Sequence, residues 1–243
     1  YGNFVNANFT GADLSSAYLN TSTYYDDGSN FHFADFTNAD LSSAILSYAH
    51  FVNANFSGAN LTNSDLSSGD FNKANFTGAN LTNAKYGNFN DANFTNTDFS
   101  SADLAYGKFY NAIFKNADLT NANLFRGDFE YSNFTGANLS GADLSYGDFD
   151  NANFTGADLS DAELSYSYLF EGANFKDANF RGADLRGSSF IESDFENADF
   201  TGANLTNADF SYSYGLISAD FTGANLYGAT FGDDFNPDGA ISL

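Results

Sequence analysis

Large apolar residues fall every fifth position along most of the chain, as at Phe129, Phe134, Leu139, Leu144, Phe149, Phe154, Leu159 and Leu164. A step of five matches neither the two-residue period of a strand nor the 3.6 of a helix. Two positions before each large residue stands a small one: Gly127, Ser132, Ala137, Ala142, Gly147, Ala152, Ala157 and Ala162. The residue between them is nearly always Asn or Asp, as at Asn133, Asp143, Asn153 and Asp158. Small, polar, large describes a short extended segment with two side chains in and one out. The remaining two residues, such as Thr155 and Gly156, make a turn.

A second period lies above the first. The stretch "GDFDNANFTGADLSDAELSY" at 147–166 repeats "GDFEYSNFTGANLSGADLSY" at 127–146 with changes mainly at polar positions. Four five-residue units therefore make one twenty-residue unit, the first two carrying mostly Phe and the last two mostly Leu. Like residues then stack at the inter-strand spacing of about 4.8 Å. Small inward residues follow from the geometry, because a narrow four-walled tube accepts one large side chain per wall and little more than a methyl beside it. Like charges stacked at that spacing repel by up to about 1 kcal/mol in water, which accounts for Asn alternating with Asp on the outward ladders.

The run "ANFTGADLSDAEL" resembles the A(D/N)LXX signature of pentapeptide-repeat proteins, and the match extends from about Phe4 to Phe231. The resemblance implies an all-β fold, a right-handed quadrilateral β-solenoid with four pentapeptides per turn. It leads us to expect about 11 turns over residues 1–231, a rod on the order of 50 Å long, and a separate tail at 232–243.

Departures from the period mark expected loops near residues 20–30, 165–174 and 211–220. The step from Leu19 to Phe31 is 12, and those from Leu164 to Phe175 and from Phe210 to Phe221 are 11. The two SYSY segments lie 46 residues apart, which places both bulges at one corner if each carries six extra residues. Between Leu81 and Phe89 the step is eight, read as a shortened corner.

Tyr86, Tyr106, Arg126, Tyr146 and Tyr166 recur at steps of twenty, with Tyr48 at the equivalent corner further back, and form the candidate partner-binding residues. They are expected to stack along one edge. Such rings either shield the corner backbone or make a strip that binds sugar rings or a neighbouring rod, since exposed Tyr supplies contact area with little entropy loss.

Composition narrows the function classes. The chain has 243 residues, 43% of them hydrophobic, so a packed core is expected rather than disorder. Eight Lys and Arg stand against 31 Asp and Glu, a formal charge of -23 that disfavours nucleic acid and anionic membrane and favours cations or basic protein surfaces. Cysteine is absent. No apolar run approaches the length a bilayer demands and no leader is visible, so a soluble chain without membrane insertion is expected. The two histidines, His32 and His50, are expected to face outward, and no catalytic motif accompanies them, so no enzyme activity is expected. The N-x-S/T matches follow automatically from Asn before and Thr after each core residue.

The tail "GDDFNPDGAISL" resembles the start of an EF-hand or dockerin-type calcium loop, with Asp234, Asn236, Asp238 and the Ala240 carbonyl as the ligands and Gly239 at the sharp turn. The carboxylate due at the twelfth loop position falls beyond Leu243. Calcium is the cofactor this implies, and it suits an extracellular or cell-surface rod; the alternative is cytoplasmic. The expected function is a non-enzymatic rod that self-associates end to end or side to side, since uncapped solenoid edges are open to pairing. Resemblance to the family's quinolone-resistance members suggests instead an anionic DNA mimic that binds a topoisomerase or another DNA-binding protein. A glycan- or protein-binding module using the Tyr column is the third reading.

Overall fold

The computed structural model describes residues 2–20, 29–85, 87–167 and 170–232. Each pentapeptide contributes one residue to a parallel bridge, and that residue is the polar one before the inward Phe or Leu. The bridges run in four ladders. The first includes Asn88, Lys108, Asp128 and Asp148; the second Asn93, Ile113, Asn133 and Asn153; the third Asp98, Asp118, Asn138 and Asp158; and the fourth Asp103, Asn123, Asp143 and Glu163. The chain is therefore a four-sided coil. Among the described residues, one pair of bridges lengthens into strands, β1 (Asp209–Phe210) parallel to β2 (Thr230–Phe231).

The five-residue unit satisfies its backbone in a fixed way. Phe134 N–H donates to Asn153 O at 2.7 Å and Asn133 N–H to Ala112 O at 2.9 Å, one turn forward and one back. Gly136 N–H reaches Thr155 O and Ala137 N–H closes the corner on Phe134 O, both at 2.9 Å. With three extended residues and two in the corner, a wall holds one bridge and no long strand. The polar residue before each large one caps its own corner: Asn133 Oδ1 accepts from Thr135 N–H at 3.0 Å and from Thr135 Oγ1 at 2.6 Å. This explains the Asn/Asp, large, Thr/Ser order.

Inside, the expected rows of like residues are present. Phe109 and Phe129 stack at 4.8 Å on the first wall, and Phe114 and Phe134 at 4.7 Å on the second. Across the corner the rows meet tilted, Phe129 and Phe134 lying 5.6 Å apart at 57°. Leu and the small residues fill the other half, and Ala137, Ala142, Ala152, Ala157 and Ala162 are all buried. The core is one continuous cluster from Phe31 to Leu226.

The register corrects the expected placement of the bulges. Asn153 pairs with Asn174 and Asp199 with Asp220, each 21 residues on, so each irregularity adds one residue rather than six. Phe170 and Leu216 are the buried residues within the two steps of 11; the first step divides as six then five at Phe170, whereas the second takes five residues from Asp209 to Tyr214 and six from Tyr214 to Asp220. The first extra residue falls between the fourth and first walls, next to residues 168–169, which lie outside the described residues. The second falls between the second and third walls, where Gly215 at φ 77° opens a 3-10 turn at Leu216–Ser218. The two bulges occupy opposite corners, not one. In the first turn Tyr18 pairs with Ile45 and Asn3 with Asn30, 27 residues on, placing seven further residues at the fourth-to-first corner. Residues 21–28 there lie outside the described residues.

Candidate functional site

The corner from the fourth wall to the first concentrates the departures from regularity. Besides the seven-residue and one-residue insertions, it holds the one deletion among the described residues. Lys85 pairs with Asp103 and Asn88 with Lys108, so the step from bridge to bridge across this corner is three residues where it is normally five. A cleft of about 340 Å³ opens beside it, lined by Ser68, Asp70, Asn88, Tyr106 and Lys108.

The same corner carries the aromatic column. Tyr48, Tyr106, Arg126, Tyr146 and Tyr166 each occupy its second residue, two positions after the inward Leu46, Leu104, Leu124, Leu144 and Leu164. All five are in the left-handed region, with φ between 54° and 61°. Elsewhere that position is filled mostly by Asn, Gly, Ser or Asp, which adopt it at little cost. Tyr106 is 58% exposed, and Tyr48, Tyr146 and Tyr166 lie between 41% and 44%. Tyr146 and Tyr166 stack at 5.7 Å. Tyr48 stands apart, since Ser68 and the shortened turn separate it from Tyr106. Tyr86 lies outside the described residues.

One member of the column escapes the sequence pattern. Phe125 lies one residue after Leu124, off the five-step, yet its ring sits 5.8 Å from Tyr106 and 5.6 Å from Tyr146. It bridges the two tyrosines beside Arg126, whose guanidinium lies 5.4 Å from the Phe125 ring and 5.3 Å from the Tyr146 ring. The only sequence signal is a Phe where Thr or Ser usually stands. Below Tyr166 the column ends on Gly187 (φ 65°), where a Cβ would come 3.1 Å from the Tyr166 ring. A second exposed ring pair, Tyr110 and Tyr131 at 5.5 Å, lies at the next corner.

Acidic ladders flank the column on both sides. The fourth wall offers Asp103, Asp143 and Glu163. On the first wall Glu130, Asp148 and Asp150 bring carboxylate oxygens within 4.8 Å of one another. Burial pushes the Asp148 carboxyl up to about 6, with the charges of Asp150, Glu130 and Asp128 adding to it against an opposing N–H bond from Asp150. Arg186 is held by Asp184 through Nε at 2.8 Å and Nη2 at 2.6 Å. His32 and His50 meet edge-on at 6.1 Å, half-buried on the first wall and apart from any described nucleophile pair. Asp234, Asn236, Asp238 and Ala240 lie outside the described residues.

Matches to the pentapeptide-repeat family profile cover residues 1–23, 27–63, 59–85, 85–116, 108–141, 132–169 and 173–211. The chain belongs to the pentapeptide-repeat family. Proteins of this family form right-handed quadrilateral β-solenoids and are generally non-enzymatic. Among solved pentapeptide-repeat structures, HetL, involved in heterocyst differentiation regulation in the cyanobacterium Nostoc sp. strain PCC 7120, is 27% identical. The match covers 93% of this chain and 91% of HetL, with a TM-score of 0.33. A trypsin-treated form of QnrB1, a plasmid-mediated fluoroquinolone resistance protein, is 23% identical over 76% of this chain and 88% of its own, with a TM-score of 0.40. A pentapeptide-repeat protein from the Arabidopsis thaliana thylakoid lumen is 27% identical over 48% of this chain and 66% of its own, with a TM-score of 0.21. No curated protein matches.

Proposed function

We propose that this pentapeptide-repeat protein is a non-enzymatic scaffold, a right-handed rod of about eleven turns, and that it works by docking a basic, arginine-bearing protein segment along the aromatic corner. The observation that carries this reading is Arg126. Its guanidinium lies over the rings of Phe125 and Tyr146, so the column already accepts one guanidinium of the chain's own. Cation–π contacts of this kind contribute roughly 0.5–1 kcal/mol each at exposed sites. The flanking carboxylates add charge complementarity, which speeds encounter and sets register more than it adds affinity. A DNA-binding protein is one such basic partner, in which case the acidic rod stands in for duplex DNA.

Self-association into an extracellular fibre is the second reading, favoured by the exposed, stacked Tyr146–Tyr166 rings. It has to overcome the repulsion of two chains of formal charge -23. Salt separates the two readings, because screening weakens attraction to a basic partner and weakens repulsion between copies. Fluorescence anisotropy with an arginine-rich peptide, read from low to physiological salt, is expected to show saturable binding that falls with salt and is lost in the Tyr106→Asn/Tyr146→Asn/Tyr166→Asn variant. Equal affinity in wild type and variant refutes the aromatic site. Filaments that grow with salt in electron micrographs favour self-association, and salt-indifferent binding of a neutral oligosaccharide moves the reading to a glycan. Calcium at Asp234, Asn236, Asp238 and the Ala240 carbonyl remains a separate proposal, on which the extracellular location depends.

A further inference from the structure

Adjacent turns are laced along the ladders by one recurring bond. An Asn side-chain amide donates to the Oδ1 of the residue one turn before it: Asn123 to Asp103 at 3.0 Å, Asn60 to Asp40 at 3.1 Å, Asn75 to Asn55 at 3.2 Å and Asn179 to Asp158 at 2.9 Å. A carboxylate in the later turn has no proton for this bond.

Where two acids follow one another, the earlier Oδ1 is normally satisfied within its own corner. Asp98 accepts from Ser100 N–H at 2.9 Å before Asp118, and Asp199 accepts from Thr201 N–H at 2.8 Å before Asp220. The Asp128–Asp148 rung differs. Asp128 Oδ1 has no accessible surface and no hydrogen-bond partner, and its bridge partner is the acid Asp148. A buried acceptor without a donor is costly. A protonated carboxyl has nearly the shape of an Asn side chain and carries a donor in its place.

We infer that Asp148 takes up a proton in mildly acidic solution and donates it to Asp128 Oδ1, completing by protonation the rung that Asn completes elsewhere. The groups around it favour this. Glu130 and Asp150 face Asp148 from its own wall and the turn before it, and their charges are relieved when it becomes neutral. From the following turn Glu171 adds a further acid, its N–H bound to Asp150 Oδ1 at 3.0 Å. The cations on the preceding turns are Lys108, one turn before Asp128, and Arg126, engaged by the rings of Phe125 and Tyr146. The carboxyl also lies two residues from Tyr146, so its protonation lowers the negative charge beside the docking column. The proton rung itself does not rest on that docking reading.

The sign follows from the raised folded value. Stability from this group is fully present below the unfolded value of 3.8 and is lost as pH rises through about 6. The experiment compares wild type with Asp148→Asn by thermal unfolding from pH 4 to pH 8, alongside NMR titration of the Asp148 carboxyl carbon. The two unfolding temperatures are expected to agree near pH 4 and to separate by a few degrees in favour of the variant above pH 6. The carboxyl is expected to titrate well above the usual range in wild type and to fall toward it in Asp128→Ala. An ordinary Asp148 titration, or curves for wild type and Asp148→Asn that stay parallel at every pH, overturns the inference. So does a wild-type pH dependence that disappears on adding calcium, which would make the rung a cation site.

Discussion

Removal of one ring from the middle of the phenylalanine column tests the packing directly. Phe134 is fully buried, stacked on Phe114 and on Phe154 at 4.7 Å each, and tilted against Phe129 at 5.6 Å. Truncating a buried Phe to Ala costs roughly 3–5 kcal/mol, depending on how far the surroundings collapse into the gap. Collapse is restricted here, because the walls are backbone held turn to turn by bonds such as Phe134 N–H to Asn153 O at 2.7 Å. Phe134→Ala should therefore sit near the upper end, about 4–5 kcal/mol. Phe9 is a built-in control. It is only partly buried and, among the described residues, stacks on Phe36 at 4.8 Å, so Phe9→Ala should cost about half as much.

Position also changes the shape of the transition. In a repeat array each turn contacts only its neighbours, so a weak interface at mid-rod lets the halves unfold separately. Urea denaturation of Phe134→Ala should show a lower midpoint and a shallower slope, while Phe9→Ala keeps the wild-type slope. Hydrogen exchange should report lost protection around residues 112–154 first. Equal costs for the two substitutions, or a Phe134→Ala loss below about 1.5 kcal/mol with an unchanged slope, refute a rigid, close-packed column.

Ala157 is buried beside the large residues of its wall, so Ala157→Leu should overpack the tube and cost about 1–3 kcal/mol by the same denaturation assay. The hydroxyl of Thr37, together with its N–H, holds the Asp35 carboxyl below the usual carboxylate range; this contribution is present above pH 3.8 and is lost as pH falls through the folded value. Thr37→Ala should move the Asp35 titration up toward 3.8 in NMR. For the tail, calorimetry should detect calcium binding that Asp234→Ala and Asp238→Ala abolish, and no heat in wild type removes the calcium proposal together with the extracellular location.

The wall positions were legible because a period of five is incompatible with any other regular element, and Phe or Leu marks each inward site. The alternation of Asn with Asp was legible too, although charge spacing is only half of its cause: the amide is also the donor that laces one turn to the next, as from Asn123 to Asp103. The bulges were harder. A step of 11 hides an inward residue when that residue is displaced by one, as Phe170 and Leu216 are. Counting large residues alone converts a one-residue insertion into a six-residue loop and puts it at the wrong corner. Phe125 was invisible for a related reason, because its contacts to Tyr106 and Tyr146 come from turns twenty residues away, while its own position breaks no period.

Backbone conformation decides between the two meanings of the Tyr column. A left-handed φ costs a residue with a Cβ on the order of 1 kcal/mol, and Asn tolerates it better than Tyr. Tyr106 and Tyr146 occupy that conformation at φ 59° and 58°, at positions where the neighbouring corners use Asn, as at Asn111 and Asn151. If the rings exist to shield the corner, the loss of ring contacts outweighs the relief and Tyr106→Asn destabilises the rod. If they are retained for recognition, the strain is a cost the fold carries for function, and the substitution is neutral or stabilising by up to about 1 kcal/mol. The second outcome is expected at Tyr106, whose ring is 58% exposed and touches only Phe125 among the ring contacts of the described residues. The measurement is the urea midpoint of Tyr106→Asn, read beside its affinity for the arginine-rich peptide. Higher stability with weaker binding supports a recognition edge. A loss of more than about 1 kcal/mol with binding intact refutes it, because a shielding ring is the only one of the two whose removal exposes backbone without removing a contact to the partner.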